Sequence, residues 1–375
     1  MSMVHRMKRY ILLVLNVCHL APLEKSARGK CNKHPPKLNG RLPIQGEEIM
    51  VITRTLQQTG GKTGSSFLII LPKDWVIKQK LSKGDPVFIA EREDGCLIID
   101  PRFAKTGEPR TTIAKIEQNL RWEITSRYLL GFDEIRIVSK ESITNSQRNE
   151  LERMIKRFVA LEITEEDDHQ IVLRCLVDPS TLPVNTALRR MHQITSRMID
   201  DSLNAYFIGD SEAAEEVVQR DEEVDRLFFL IVRELRSAIQ YPRMSEAMKL
   251  TPVKALDFRL AVQYLERIAD LAVDIAQRVE EPIDISLIKK IEPIAKEVQD
   301  MFSDAVKNLF KFDPKKVTFV INAEKRLISK TAKLRQYIVA SPNGQPHTQV
   351  LVVDSLLRMG ETAKDIVDLA LPQHD

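Results

Sequence analysis

Cysteine is scarce and scattered. Cys18, Cys31, Cys96 and Cys175 are the four in 375 residues, and no two form a CxxC pair. That excludes a zinc ribbon or a disulfide framework and points to a reducing compartment, the cytoplasm. The seven histidines are equally dispersed, so no His-based metal cluster suggests itself. No apolar run approaches the roughly 20 residues that a membrane span needs. A glycine-rich nucleotide loop is missing too. Gly61-Lys62-Thr63 echoes the end of one, but Leu56 stands where glycine is required, and an apolar strand follows where a helix should. With no nucleophile–base set and no Cys/His pair, catalysis has no candidate residues and the chain reads as a non-enzyme.

What remains is an ordinary globular composition, 43% hydrophobic and 29% charged, long enough for two or three domains. The formal charge of +3 is unevenly spread. Residues 1–46 hold nine basic residues (Arg6, Lys8, Arg9, Lys25, Arg28, Lys30, Lys33, Lys37, Arg41) against Glu24 alone, so the rest of the chain is net acidic. Net basicity is therefore no evidence for a nucleic-acid partner; only local charge distribution can be. Within the leader, Lys8-Arg9 before Tyr10–Leu15 has the look of a signal peptide, but the apolar core is short and no small-x-small cleavage site follows. A disordered basic arm, or a true start at Met50, is the expectation for 1–46.

Four regions follow from the patterning. Residues 47–103 read as short strands: Ile49–Ile52, Phe67–Leu71, Val87–Ala90 and Leu97–Ile99, with a short helix over Lys73–Lys80 and turns at Gly60–Gly64, Gly84-Asp85 and Asp94-Gly95. So few short strands bury little surface alone, and dimerisation is the expected remedy. Residues 112–180 read as an α/β connector. Its helix runs through Ile113, Ile116, Leu120, Ile124 and Tyr128 to a stop at Gly131. A strand at Ile135–Val138 follows, then a helix capped by Thr144 with Gln147 and strands at 161–164 and 171–177. From 184 to 371 the pattern is helical, broken near Gly209-Asp210, Pro242, Pro252, Pro282, Asp313-Pro314 and Pro342–Gly344. Two internal similarities, at offsets of 103 (Asp210 and Asp221 onto Asp313 and Glu324) and 91 (Asp270 and Asp274 onto Glu361 and Asp365), predict two three-helix repeats.

Arg54-x-Leu56-x2-Thr59-Gly60-Gly61, Leu71-Pro72-Lys73-x-Trp75, Leu81-x-Lys83-Gly84-Asp85-x-Val87 and Asp94-Gly95-x-Leu97 carry the most specific signal in the chain. Together they resemble the SpoVT/AbrB swapped-hairpin family over roughly 49–101. The resemblance implies hairpins interleaved between two chains and a basic face toward DNA. Local charges agree. Arg54, Lys62, Lys73, Lys78, Lys80 and Lys83 face only Asp74 between 54 and 83, whereas 85–100 is acidic apart from Arg92. Arg54, Lys62, Lys73, Lys78 and Lys80 are the candidate DNA contacts. The competing reading makes these lysines the solvated face of a module that only dimerises.

Asp221 and Asp225 stand i, i+4 on one predicted helix, and Glu266, Asp270 and Asp274 form a ladder on a second, largely apolar one. Carboxylates on a buried face must be protonated, paired or bound to a cation, and facing helices of a bundle can hold such cations. Leu265-Glu266-Arg267-Ile268-Ala269-Asp270-Leu271-Ala272-x-Asp274-Ile275-Ala276 resembles the signature of PhoU, the helical regulator of phosphate uptake. Over about 184–371 the resemblance implies two three-helix bundles, each able to carry a metal site, with a divalent or iron-type cluster expected in the first repeat. The second departs, with Leu357 and Ile328 at the places of Glu266 and Asp225. Alternatively, the acids pair with Arg226, Arg259 or Arg267, or face solvent.

The expectation is a multidomain α+β chain: a swapped-hairpin β domain, an α/β connector and an all-α PhoU-like pair of three-helix bundles. It would be a cytoplasmic, homodimeric, archaeal regulator of phosphate uptake, acting on DNA and sensing through metal. In the alternative it is an adaptor that contacts a phosphate transporter or its ATPase and uses the hairpins only to dimerise.

Overall fold

The computed structural model describes residues 40–44, 47–51, 54–59, 66–91, 95–101, 109–116, 119–176, 183–280, 283–341 and 346–370. The chain divides into two compact units at Lys83/Gly84, inside the span that the sequence reads as one hairpin domain.

In the first unit, β1 (Gly40–Ile44) pairs antiparallel with β2 (Glu47–Val51), and β3 (Gln57–Thr59) with β4 (Ser66–Leu68). The last residues of the basic leader thus form a strand, contrary to the disorder expected there. Pro72 precedes α1 (Lys73–Lys78), a short helix with Asp74 in its first turn and Lys78 in its last, as the macrodipole favours.

The second unit opens with the hairpin β5 (Phe88–Glu91) and β6 (Leu97–Asp100), where Gly95 takes a left-handed φ of 77°. The connector follows: β7 (Thr111–Lys115), α2 (Leu120–Leu129), β8 (Glu134–Val138), α3 (Asn145–Ile155), β9 (Leu161–Glu166) and β10 (Gln170–Cys175). Its sheet has the order β7-β8-β10-β9, with β7 parallel to β8 and the rest antiparallel. The helix predicted from Ile113 starts only at Leu120. Thr111-Thr112-Ile113 is β-branched throughout and pairs along β8, so strand formation wins over the helical spacing. The predicted stop at Gly131 holds (φ 80°), as does the capping box, with Thr144 Oγ1 accepting from the Gln147 amide at 3.3 Å and Gln147 Oε1 accepting from the Thr144 amide at 2.9 Å. Ile124, Tyr128, Ile135, Ile137, Leu151, Ile171 and Leu173 form the connector core, all essentially inaccessible to water.

Seven helices follow among the described residues: α4 (Val184–Ile208), α5 (Ser211–Gln240), the short α6 (Pro242–Met248), α7 (Pro252–Ala276), α8 (Ile285–Phe310), α9 (Pro314–Ala340) and α10 (Pro346–Val367). The breaks read from sequence are caps. Gly209 ends α4 in the left-handed region. Asp210 caps α5 through the Ala213 amide at 3.0 Å, Thr251 precedes Pro252 on α7, and Asp313 precedes Pro314 on α9. Within the trio α4, α5 and α7 each helix packs on the other two, and so it is in the trio α8, α9 and α10. One apolar core runs through both trios, as expected for two three-helix repeats.

The connector is seated on α5. Phe229 of that helix packs into the connector core, 5.1 Å from Phe158 between ring centroids. Arg233, 5% exposed, donates through Nη1 to the carbonyls of Tyr128 (2.8 Å) and Phe132 (2.9 Å) and through Nη2 to Asp133 Oδ1 (3.3 Å). The Tyr128 carbonyl also accepts the Gly131 amide at 2.9 Å, and the guanidinium fork adds a buried donor to the chain end of α2.

Candidate functional site

The packing of α5 against α7 sets the candidate site. Along α5, Val217, Val224 and Ile231 point into the core, which turns Asp221 and Asp225 toward the rim of the interface with α7. On α7, Val262, Leu265, Ile268, Ala269 and Ala272 are buried, and the ladder Glu266, Asp270 and Asp274 lies beside them. Asp221, Asp225, Glu266 and Asp274 are half-buried, and Asp270 is at the solvent edge. The ladder thus borders the apolar face of the helix instead of lying within it.

Four of the carboxylates feel one another. Asp221 is pushed up to about 6, first by burial and then by the charges of Asp225 and Asp270. Glu266 is pushed up to about 7 by burial and by Asp270, Asp225 and Asp221, against a hydrogen bond from Gln263 Nε2 (2.7 Å) that favours its charged form. Burial also raises Asp270, with Asp225 and Asp274 adding to it. Two packed helices therefore concentrate more negative charge than their own cations neutralise.

The cation that does arrive comes from elsewhere. Arg157, in the turn after α3, donates through Nη2 to Asp225 Oδ2 at 2.8 Å, with both side chains about a third exposed. The nearby basic residues named from sequence do not take that place. Arg259 hydrogen-bonds Gln263 Oε1 (3.3 Å) and lies over the Phe228 ring, and Arg267 acts on Asp365 of the second trio. At the far end, Arg278 pairs with Asp274 across one turn (3.6 Å). Sequence reasoning missed Arg157, because 68 residues and a domain boundary separate it from Asp225 and no local spacing signals the contact.

Among the described residues, no group of three or more Asp, Glu, His or Cys side chains stands close enough to hold a metal ion. The convergence expected from sequence is not present in this arrangement, in which Asp225 pairs with Arg157 and Glu266 with Gln263. In the second trio, Glu324 and Asp365 are half-buried and Glu361 exposed. Lys364 pairs with Asp368 at 2.5 Å and lies within electrostatic reach of Glu324 and Asp365. Its acids therefore have a cation of their own within the trio.

In the first unit, Arg54, Lys73, Lys78 and Lys80 are all exposed; Lys62 lies outside the described residues. Beside them Leu56, Phe67, Leu68, Ile69, Ile70 and Ile77 are 49–63% exposed, an apolar surface of unusual extent for so small a unit. No helix of the described residues is long and apolar enough to cross a membrane.

Residues 188–279 match the PhoU domain family, a span that covers α5 and α7 with all five candidate carboxylates and most of α4. Over 165 residues the chain is 27% identical to the phosphate-specific transport system accessory protein PhoU homolog of Clostridium acetobutylicum, covering 38% of this chain and 73% of that protein. The crystal structure of PhoU from Pseudomonas aeruginosa overlays 51% of this chain and 95% of its own, at 18% identity and a TM-score of 0.39.

Proposed function

We propose that this chain is a regulator of phosphate uptake, not an enzyme, whose first helical trio is a cation-responsive PhoU-type module. One observation carries the reading: the span that matches the PhoU domain is the trio that gathers Asp221, Asp225, Glu266 and Asp270 into one electrostatic cluster. The accessory role named for the Clostridium protein supports the same assignment.

The donors fit a hard divalent cation in kind. They are carboxylate oxygens on two helices, and the pKa values of Asp221, Glu266 and Asp270 are raised first by burial and then by one another's charges. Asp221, Asp225, Glu266 and Asp270 would hold the ion, with Asp274 beside them. Once bound, it supplies the positive charge that lets these acids stay ionised together. The second trio is left out of the proposal, since Lys364 already lies among its acids. Protein purified without chelator is expected to carry divalent metal by elemental analysis, and an Asp221→Asn/Asp270→Asn double variant to lose most of it. Equal metal in the two would sink the site.

For the first unit we propose a homodimer that contacts DNA. The exposed apolar run Phe67–Ile70 supports a second copy as its cover, and the exposed Arg54, Lys73, Lys78 and Lys80 support a phosphate-binding face that Lys62 would extend. Duplex binding in a gel shift should weaken steeply between 50 and 200 mM salt, and changing Arg54 and Lys73 to Ala should lower the salt slope by about two. A dimer that retains no duplex even at low salt points to the second reading, an adaptor that contacts a phosphate transporter or its ATPase. The accessory role named for the Clostridium protein favours that alternative.

A further inference from the structure

We infer that the cleft between α4 and α5 is a binding site for hydrogen phosphate, anchored by Arg197. The choice of ligand rests on the phosphate-regulation reading above. The site rests on the cleft itself, which none of the five candidate carboxylates lines.

On α4, Arg190, Ile194, Arg197 and Asp201 follow at intervals of four, three and four residues, which sets them along one stripe of the helix. After the break at Gly209, α5 runs back alongside and answers with Arg220 and Glu223. At one end Arg190 donates through Nη2 to Glu223 Oε1 at 2.7 Å, and at the other Arg220 donates through Nη1 to Asp201. Arg197 stands on α4 between these two pairs, and among the described residues its side chain forms no ion pair or hydrogen bond. The cleft measures about 320 Å3, and Ile194, 5% exposed, gives it an apolar floor.

The lining sets Arg190, Arg197 and Arg220 against Asp201 and Glu223, so one positive charge remains after its own pairs have formed. Each guanidinium carries five N–H donors in a planar fork, and Arg190 and Arg220 each spend a single nitrogen on their acids. The remaining nitrogens, with the whole of Arg197, match the paired oxygens of a tetrahedral oxyanion. The Arg220 side chain is 28% exposed, and partial removal from water strengthens such contacts.

The two carboxylates decide which oxyanion enters. Sulfate offers acceptors alone, and would meet Asp201 and Glu223 as bare repulsion. Hydrogen phosphate carries a hydroxyl, which donates to a carboxylate oxygen while the other oxygens accept from arginine. A lining of arginine alone would hold both anions; the mixed lining favours the one that keeps a proton.

The test is equilibrium dialysis of labelled orthophosphate, with sulfate as competitor, on the full-length protein and its Arg197→Ala, Arg197→Lys and Asp201→Asn variants. Arg197 is exposed and the Asp201 side chain 44% exposed, so these changes leave the core intact. We expect the parent to prefer orthophosphate over sulfate by about tenfold, and Arg197→Ala to bind orthophosphate about tenfold more weakly, the scale of one charge-assisted hydrogen bond. Arg197→Lys should recover part of the loss, because an ammonium keeps the charge without the fork. In Asp201→Asn the preference over sulfate should shrink, since the charge that repels sulfate is gone. Equal orthophosphate affinity in the parent and Arg197→Ala would overturn the site. Sulfate held by the parent as tightly as orthophosphate would overturn the ligand. No retention of either anion would overturn the inference and leave the regulatory reading to its own tests, metal content and the gel shift. Orthophosphate held by the parent and lost in Arg197→Ala supports the site whatever those tests return.

Discussion

Stripped of divalent cations, the protein should gain several degrees of melting temperature between pH 8 and pH 5 relative to an Asp221→Asn/Glu266→Gln double variant. Asp221 and Glu266 have folded pKa values of about 6 and about 7, above their ordinary 3.8 and 4.5. A raised folded value means that the fold binds the proton more tightly than the unfolded chain does. The resulting stability is complete below about pH 4 and is lost as pH rises through 6 and 7. The groups that face this pair are Asp225, Asp270, Gln263 and Arg259, with Arg157 beyond. Since both carboxylates are half-buried, the two together are worth on the order of 1–2 kcal/mol, each kcal/mol shifting the midpoint by about 2–4 °C. Glu134, held down by Arg174 and Arg136, works in the opposite sense. Its contribution is lost only below the ordinary carboxylate range, but His192, pushed down to about 4 by burial and then by Lys307 and Arg189, loses stability as pH falls below its ordinary 6.5, so the cluster is read as the difference between parent and variant. Calorimetric melts of parent and variant across that window check the expectation. Profiles that run parallel from pH 8 to 5 would show that Asp221 and Glu266 do not bind protons more tightly in the fold.

The second large effect is expected at Arg233. Replacing it with Ala strips the Tyr128 and Phe132 carbonyls and Asp133 of one buried donor, and removes a guanidinium 5.1 Å from the Tyr128 ring centroid. Asp133 keeps Arg110 at 3.6 Å and the Tyr128 carbonyl keeps the Gly131 amide at 2.9 Å, but the Phe132 carbonyl loses the Arg233 donor. A loss of about 2–4 kcal/mol is the scale for breaking a buried, multiply bonded charge. Arg233→Lys should recover only part of it, because an ammonium lacks the planar fork that reaches all three acceptors. Chemical denaturation gives the energy. Limited proteolysis locates it, with cleavage expected between connector and helices. An Ala variant as stable as the parent would mean that Phe229 alone seats the connector.

The two expectations draw on different layers of information. Asp221 with Asp225 and Glu266 with Asp270 were visible as i, i+4 pairs because a helix converts spacing directly into a shared stripe. Thr144 with Gln147, Gly131 and the Asp- or Thr-capped prolines were visible for the same reason, since caps and stops are short-range chemistry. The helix expected from Ile113 failed where short-range chemistry was overruled. Thr111–Lys115 has a parallel partner in β8, and that pairing is written some twenty residues away. The leader residues 40–44 were misjudged likewise: their composition gave no sign of the strand partner at 47–51.

By itself, then, the sequence determined the helical repeats, their breaks and the acidic stripes, all of which depend on residues within one or two turns of each other. Tertiary structure alone decided which charges meet. Arg157 reaches Asp225 across 68 residues, and Arg233 reaches Tyr128 across 105. Both contacts stand where Phe229, partly buried, packs on the buried Phe158. Apolar burial has no sequence address: it brings elements together by area, and the partner of a charge is whichever group that packing leaves within reach.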